Sequence, residues 1–344
     1  MVLTEGSEAG RRAPANARGP VVVSGADGFA GRTLCAHFHS VGIPFRGLVR
    51  SLSTATAARP DMMPLGDLTT IADDGLANAM LDAHTVVHLA GRAHVMRETA
   101  GDPLAQFRAV NVAATERLAR AAATAGASHF VFASSVKVNG ELTTPGRPFR
   151  EGDPPHPHDD YAASKWEAER VLGDVARETG MAVTVLRLPL LYGPGSKGNF
   201  ARLTEAIARG VPLPLASIDN RRSLLGAGNF ASALAALVLH PVPAPHTVST
   251  FLLADSPPVS TPELIRAIAA ALGVEARLVP VPTSLLHWIC ACAGRAAAID
   301  RLTGSLEIDA SAFCTSFNWK SPHSMAEELA AMARARRDGL ATPL

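Results

Sequence analysis

Three glycines, Gly25, Gly28 and Gly31, follow the run Val21-Val22-Val23-Ser24 and open into a helical pattern over 32–40. A β-branched apolar run bounded by turn residues predicts a strand buried on both faces. A tight turn out of such a strand needs Gly25, close approach of backbone to a pyrophosphate needs Gly28, and packing of the next helix on the strand needs Gly31. The helix start leaves its first N–H groups without intrahelical partners, so an anion is favoured there. Phe29, between the second and third glycines, belongs to the same turn. With its flanking strand and helix, the arrangement predicts a dinucleotide-binding unit.

The chain then alternates. A strand over 44–49 ends in Arg50-Ser51. An acid at that point bonds ribose hydroxyls and an arginine suits a 2′-phosphate, so Arg50 leans towards NADP(H), with a solvated loop arginine as the plain alternative. Gly66-Asp67-Leu68 reads as another strand end, with Asp67 and Leu68 towards the adenine. A helix near 71–81 precedes a buried strand over 85–89 that closes on Leu89-Ala90-Gly91. A long helix over 105–125 carries Asn111, and a strand over 129–133 ends at Ser134-Ser135, followed by Val136-Lys137-Val138-Asn139-Gly140. Alternation of this kind predicts an α/β fold with a doubly wound parallel sheet. Ligands of such sheets bind at the carboxyl ends of the strands, where Gly25, Arg50, Asp67, Ala90 and Ser135 all fall.

The next stretch, 151–160, is Pro-rich and loop-like. Its His156 and His158 are read as loop residues, and no metal site is expected. It delivers the chain to Tyr161-Ala-Ala-Ser-Lys165. Four positions along a helix place Tyr161 and Lys165 on one face. A phenol is a poor base near neutrality, and a cation beside it favours the phenolate, so the pair suits proton transfer to or from a hydroxyl or carbonyl oxygen. A strand over 183–188, a Gly-rich loop over 191–200 and helices over 201–209, 229–239 and 261–272 follow. Pro and Gly breaks grow denser after Pro189. We therefore expect a nucleotide-binding domain over 20–189 and a smaller mixed lobe over 190–344, some of whose segments return to the first.

A formal net charge of +1 gives no electrostatic footprint for nucleic acid. Cys35, Cys290, Cys292 and Cys314 have neither metal-site spacing nor a histidine cluster, and are read as thiols in a reducing compartment. Residues 1–19 carry three arginines among small residues with no apolar segment after them, which predicts a disordered tail rather than a secretory signal. The longest uncharged span, 223–254, has too short a continuous apolar part to cross a bilayer. A soluble cytoplasmic protein without a membrane span is expected.

With these elements in order, the chain resembles the extended short-chain dehydrogenase/reductases, and among them the NAD-dependent epimerase/dehydratase family acting on nucleotide sugars. The likeness covers residues 20–329. It is carried by Gly25, Gly28 and Gly31, His88-Leu-Ala-Gly91, Asn111-Val112, Ser134-Ser135 with Gly140, and Tyr161 with Lys165. Arg187-Leu-Pro-Leu-Leu-Tyr-Gly-Pro-Gly195, Asn199, Arg221-Arg222-Ser223 and Phe317-Asn-Trp-Lys320 complete the set. The resemblance implies a Rossmann-type domain that holds NAD or NADP through the glycines and through Phe29, Arg50, Asp67, Leu68, Leu89, Ala90, Gly91 and Asn111. It makes Tyr161 the acid/base, has Lys165 hold the nicotinamide ribose and lower the Tyr161 pKa, and gives Ser135 the sugar oxygen at C4. Asn199 and Arg222 match positions that contact the nucleotide diphosphate, and a guanidinium suits a phosphate fork.

Two departures bear on the reaction. Sugar 4,6-dehydratases carry Thr-Asp-Glu where this chain has Ser134-Ser135-Val136-Lys137, so the acid pair for water elimination is missing. Epimerases usually have Tyr at the place of Asn139 and an acid at that of Arg50. The runs Val-Lys-Val-Asn-Gly, Tyr-Gly-Pro-Gly-Ser-Lys-Gly-Asn-Phe and, over 301–306, Arg-Leu-Thr-Gly-Ser-Leu resemble a bacterial branch of surface-polysaccharide enzymes. The expectation is an NAD(P)-dependent oxidoreductase acting at C4 of a UDP-sugar, first a UDP-4-keto-6-deoxy-hexosamine reductase. The alternative is a UDP-glucose or UDP-N-acetylglucosamine 4-epimerase that keeps its NAD, and a distant third is a non-catalytic nucleotide-sensing protein. The family also implies a possible homodimer through two helices, near 104–125 and around Tyr161.

Overall fold

The computed structural model describes residues 19–53, 59–93, 102–292 and 296–339. The tail expected over 1–19 lies, apart from Gly19, outside them.

Strand β1 (Val21–Ser24) enters helix α1 (Phe29–Ser40), then β2 (Phe45–Val49), β3 (Met62–Pro64), α2 (Asp73–Ala79) and β4 (Thr85–His88). Next come α3 (Pro103–Arg108), a π-helical turn (Ala109–Ala113), α4 (Ala114–Thr124), β5 (His129–Ser135) and a 3-10 turn (Val136–Val138). Helix α5 (Asp160–Thr179), β6 (Ala182–Leu188), β7 (Leu190–Tyr192), α6 (Gly198–Ala208), β8 (Leu224–Gly226), α7 (Ala227–Leu239) and β9 (Val248–Leu252) follow. Helices α8 (Thr261–Leu272), α9 (Thr283–Cys292), α10 (Ala296–Thr303), α11 (Ser311–Phe317) and α12 (Met325–Arg337) end the chain.

Seven strands form one sheet in the order β3-β2-β1-β4-β5-β6-β9, with every neighbouring pair parallel. The order runs outward from β1 to β3 and restarts on the other side at β4. The switch point therefore lies between the ends of β1 and β4, where doubly wound sheets bind ligands. Side chains alternate across the strands as a period of two requires. Val21 and Val23 pack with Leu34 and Phe38 of α1 and Phe230 and Leu234 of α7. Val22 packs on the opposite face with Leu76 of α2, Leu118 of α4 and Leu172 of α5. A separate core made by β7, β8, α6, α8 and α12 gathers Tyr192, Phe200, Leu224, Ile265 and Leu329. Strand β9 and helix α7, though late in the chain, belong to the large sheet and its cover.

Two local differences from the expected elements have physical causes. The helix expected over 105–125 begins at Pro103, capped by the Asp102 side chain on the Ala105 N–H at 3.0 Å, and widens into the π turn around the buried Asn111. The strand expected to end at 66–68 stops at Pro64, and Gly66 turns the chain with φ +81°. Helix α9 starts at Thr283, directly after Pro282. Among the described residues, no helix is long and apolar enough to cross a membrane.

Candidate active site

The turn after β1 admits only small backbone. Gly25 has φ +70°, and a Cβ there would stand 2.8 Å from the Ala90 N and 2.9 Å from its Cα at the end of β4. A Cβ on Gly31 would stand 2.1 Å from the Gly25 O. Gly28 caps α1 without any side-chain hydrogen bond to the helix start. The result is a bare helix N-terminus at the switch point, a cradle for a phosphate group. Phe29 begins the helix. Arg32 donates to the Asp27 O at 2.6 Å, and a Cβ on Gly195 would lie 3.4 Å from its Nη2, so the loop after β7 reaches over this turn.

At the next strand ends, Arg50 is exposed beyond β2 and its carbonyl accepts the Gly66 N–H at 3.1 Å. The Asp67 carboxylate accepts from the Thr69 Oγ1 at 2.7 Å and from its N–H at 2.8 Å. These bonds, with Arg50 nearby, hold Asp67 below the usual carboxylate range. Leu68 packs against the core on the α2 side.

Beneath the switch point lies a buried polar chain. The His88 Nδ1 meets the Ser24 Oγ at 2.6 Å and its Nε2 the Thr115 Oγ1 at 2.9 Å. Burial pushes His88 down to about 3, so the ring is neutral at physiological pH. The Thr115 hydroxyl donates its one hydrogen to the Asn111 O at 2.8 Å. The Nε2 therefore carries the imidazole hydrogen, and Nδ1 accepts from Ser24. Asn111 clamps the segment after β4 to α5. Its Oδ1 accepts from the Arg92 N at 2.8 Å, and its Nδ2 donates to the Arg92 O at 3.1 Å and the Ser164 Oγ at 3.0 Å. Its side chain thus fixes the frame around Leu89, Ala90 and Gly91.

Helix α5 is capped by Asp159, whose carboxylate accepts the Ala162 N–H at 2.8 Å, and it presents Tyr161 and Lys165 one turn apart. The buried Lys165 Nζ donates to the Ala133 O at 2.8 Å and stands 4.4 Å from the centre of the Phe132 ring. A Cβ on Gly91 would lie 3.4 Å from it. Burial lowers Lys165 to about 8, with Glu169 pulling the other way. Ala133 is its sole hydrogen-bond partner among the described residues, and an ammonium has three donors. Burial of the Tyr161 hydroxyl pushes it up to about 12, against the Ser135 hydroxyl and with the Asp159 carboxylate. Ser135 ends β5, buried, and its Oγ accepts the Lys137 N–H at 3.2 Å.

One network escaped the sequence. The buried pair Arg187–Glu169 closes at 2.7 Å. Glu169 also accepts from the Ser134 hydroxyl, and the Arg187 Nη1 donates to the Asn139 Oδ1 at 3.1 Å. It ties the ends of β5 and β6 to α5 directly below the Ser135–Tyr161 pair. The only signal for it was the Arg-Leu-Pro run itself, and position 139, where a tyrosine is usual, is filled by the amide that Arg187 needs.

Contacts in the large lobe thus bring together Gly25 with Ala90, Gly91 with Asn111 and Lys165, and Ser135 with Tyr161. Asn199, exposed, is the second residue of α6. Arg222 exchanges backbone bonds with Val259, its Nη1 donates to the Gly304 O at 3.0 Å, and burial lowers its pKa. Both stand in the framework of the smaller lobe. Among the described residues no group of three histidine, cysteine or acidic side chains could hold a metal ion.

The comparisons with known proteins agree with this geometry. A UDP-glucose 4-epimerase of Vibrio cholerae is 36% identical over 318 residues, covering 92% of this chain and 94% of that protein. A GDP-6-deoxy-D-mannose reductase of Pseudomonas aeruginosa is 30% identical over 227 residues, 63% of this chain and 70% of that one. In fold, the chain is similar to MoeE5 in complex with UDP-glucose and NAD, with TM-score 0.73 and 23% identity over 94% of this chain and all of that one. The profile of the NAD dependent epimerase/dehydratase family matches residues 21–249, well over half of the protein, and the chain belongs to that family.

Proposed function

We propose that the protein carries out nicotinamide-dependent redox chemistry at C4 of a UDP-sugar, as a 4-epimerase. The observation that carries this reading is the meeting of Ser135 and Tyr161 at the end of β5, beside a Lys165 whose open donors border the switch point. The similarity to a UDP-glucose 4-epimerase along nearly the whole chain supports the epimerase over the reductase expected first. The chain's residues fit the cofactor. Gly25, Gly28 and Gly31 leave a cradle that any Cβ would fill, and Lys165 keeps unused donors beside Gly91 for a ribose hydroxyl. A nicotinamide held there would supply the hydride-transfer chemistry at C4.

The remaining work falls to side chains. Tyr161 takes the proton of the C4 hydroxyl when the sugar is oxidised and gives it back when the ketone is reduced. At neutral pH the phenol is protonated, which suits the reductive half, and the neighbouring Ser135 hydroxyl favours the phenolate that the oxidative half needs. Ser135 donates to the same sugar oxygen and stabilises charge as it develops. Val136, buried, and Lys137 supply no acid for water elimination, which speaks against a dehydratase.

A reductase is the second reading, favoured by Arg50 at the end of β2, where a 2′-phosphate would lie in NADP(H). The test separates the two. Interconversion of UDP-glucose and UDP-galactose, or of their N-acetylamino forms, without added cofactor establishes the epimerase. Stoichiometric oxidation of added NADPH or NADH by a UDP-4-keto-6-deoxy-hexosamine, with no interconversion, establishes the reductase and overturns the proposal.

A further inference from the structure

Lys137 stands at the position where the dehydratases carry an acid, and the proposed chemistry gives it no task. Its surroundings do. Its N–H donates to the Ser135 Oγ at 3.2 Å, and its Nζ donates to the Asp159 Oδ2 at 2.5 Å, with Glu141 at 3.7 Å. The other Asp159 oxygen accepts the Ala162 N–H at 2.8 Å and caps α5, whose first turn carries Tyr161. A single residue therefore runs from the turn that presents Ser135 to the cap that presents Tyr161. The side chains of Lys137 and Asp159 are 31% and 32% exposed. Two-thirds of each is withdrawn from water, so the pair is screened less than a surface one.

We propose that Lys137 is a positioning residue whose ion pair with Asp159 sets the approach of Ser135 to Tyr161 and neutralises the carboxylate beside the phenol. The inference rests on Tyr161 being the acid/base of the proposed reaction. Among the described residues, Asp159 is the charged group that acts on the Tyr161 phenol, and it acts to disfavour the phenolate. Among the described residues, Ser135 from β5 and Phe107 from α3, with Arg92 over its ring, also face Tyr161, and Asp160 and Lys165 share its helix. Arg108 and Glu167 between α3 and α5 neutralise one another at 2.6 Å. Removing the Lys137 charge therefore takes a neutralising cation from the carboxylate, and removing the Asp159 charge takes a carboxylate from the neighbourhood of the phenol.

The chain has two tyrosines, so protein labelled with carbon-13 at the tyrosine ring gives two resonances, and Tyr192→Phe identifies that of Tyr161. We expect its titration midpoint to rise in Lys137→Met and fall in Asp159→Asn, each by about one pH unit for a charge at this range. Lys137→Arg and the double variant Lys137→Met/Asp159→Asn stay close to the parent. Asparagine still caps the helix, so Asp159→Asn answers even where Lys137→Met does not fold. The comparison is read at the highest pH at which every folded variant keeps its amide spectrum. In turnover, Lys137→Met lowers kcat with little change in KM, and Lys137→Arg restores it. A Tyr161 resonance that titrates alike in all variants overturns the proposal, as does a Lys137→Met effect confined to Tm. The ring titration needs no substrate. The expected order together with an inactive parent would sink the assigned reaction and leave the positioning of the phenol standing.

Discussion

The Nζ of Lys165 donates to the carbonyl oxygen of Ala133 at 2.8 Å, two residues before the serine that ends β5. One bond thus fixes the helix that carries Tyr161 to the strand that carries Ser135. The cost is a cation held out of water with a single partner, and its pKa falls to about 8 in consequence.

Lys165→Met should therefore be more stable than the parent at pH 7, by about 1–3 kcal/mol. Between about 8 and the ordinary lysine value of 10.5 the unfolded chain holds more protons at this position than the folded one. Parental stability thus rises with pH across that window, and the advantage of the variant shrinks there. Urea titrations at pH 7 and pH 10 check it, and parallel pH slopes for the two proteins would contradict the assignment. Nicotinamide cofactor binding should weaken in the same variant.

Tyr161→Phe keeps the ring against Phe107 and removes the hydroxyl that faces Ser135. Turnover should drop by about 10²–10⁴-fold, the usual share of a positioned acid/base. Cofactor affinity, followed by nicotinamide fluorescence, should stay within a factor of a few. Parental rates in this variant would remove Tyr161 from the mechanism.

Breaking the buried Arg187–Glu169 pair from one side leaves a charge without its partner. Glu169→Gln and Arg187→Met should each lose about 3–5 kcal/mol in denaturant unfolding. The double change Glu169→Leu/Arg187→Met should lose much less than the two single losses together. Additive losses would show that the pair acts as two independent groups.

Two glycines separate a functional demand from a conformational accident. Gly31→Ala places a methyl 2.1 Å from the Gly25 carbonyl oxygen, so it should abolish cofactor binding and lower Tm. Gly173, within α5, has nothing within 4 Å of where its Cβ would be. Gly173→Ala should raise stability by about 0.5–1 kcal/mol and leave binding alone.

What the sequence disclosed was what local constraint writes into it. Gly31 is forced by the Gly25 backbone six residues before it, Gly25 by the positive φ of its turn, and Tyr161 and Lys165 share a face by the helical repeat, so all were readable. The Arg187–Glu169 pair was not, because it forms only after β6 docks beside β5 under α5. Asn111 was picked out as a cofactor contact, and its side chain is found spanning from the Arg92 backbone to Ser164, which the pitch of an ordinary helix does not foretell. Strand β9 (Val248–Leu252) mixes Ser and Thr with apolar residues and lacks the alternation that marks a buried strand, so nothing local announced it.

The place of β9 in the sheet bears on how the protein is made. During synthesis the first six strands emerge while β6 still has an open flank, and the strand that covers it is separated from them by β7, α6, β8 and α7. The nascent chain thus waits on the ribosome with an unsatisfied row of amides until residues 248–252 arrive, and that interval is when another strand could pair there instead.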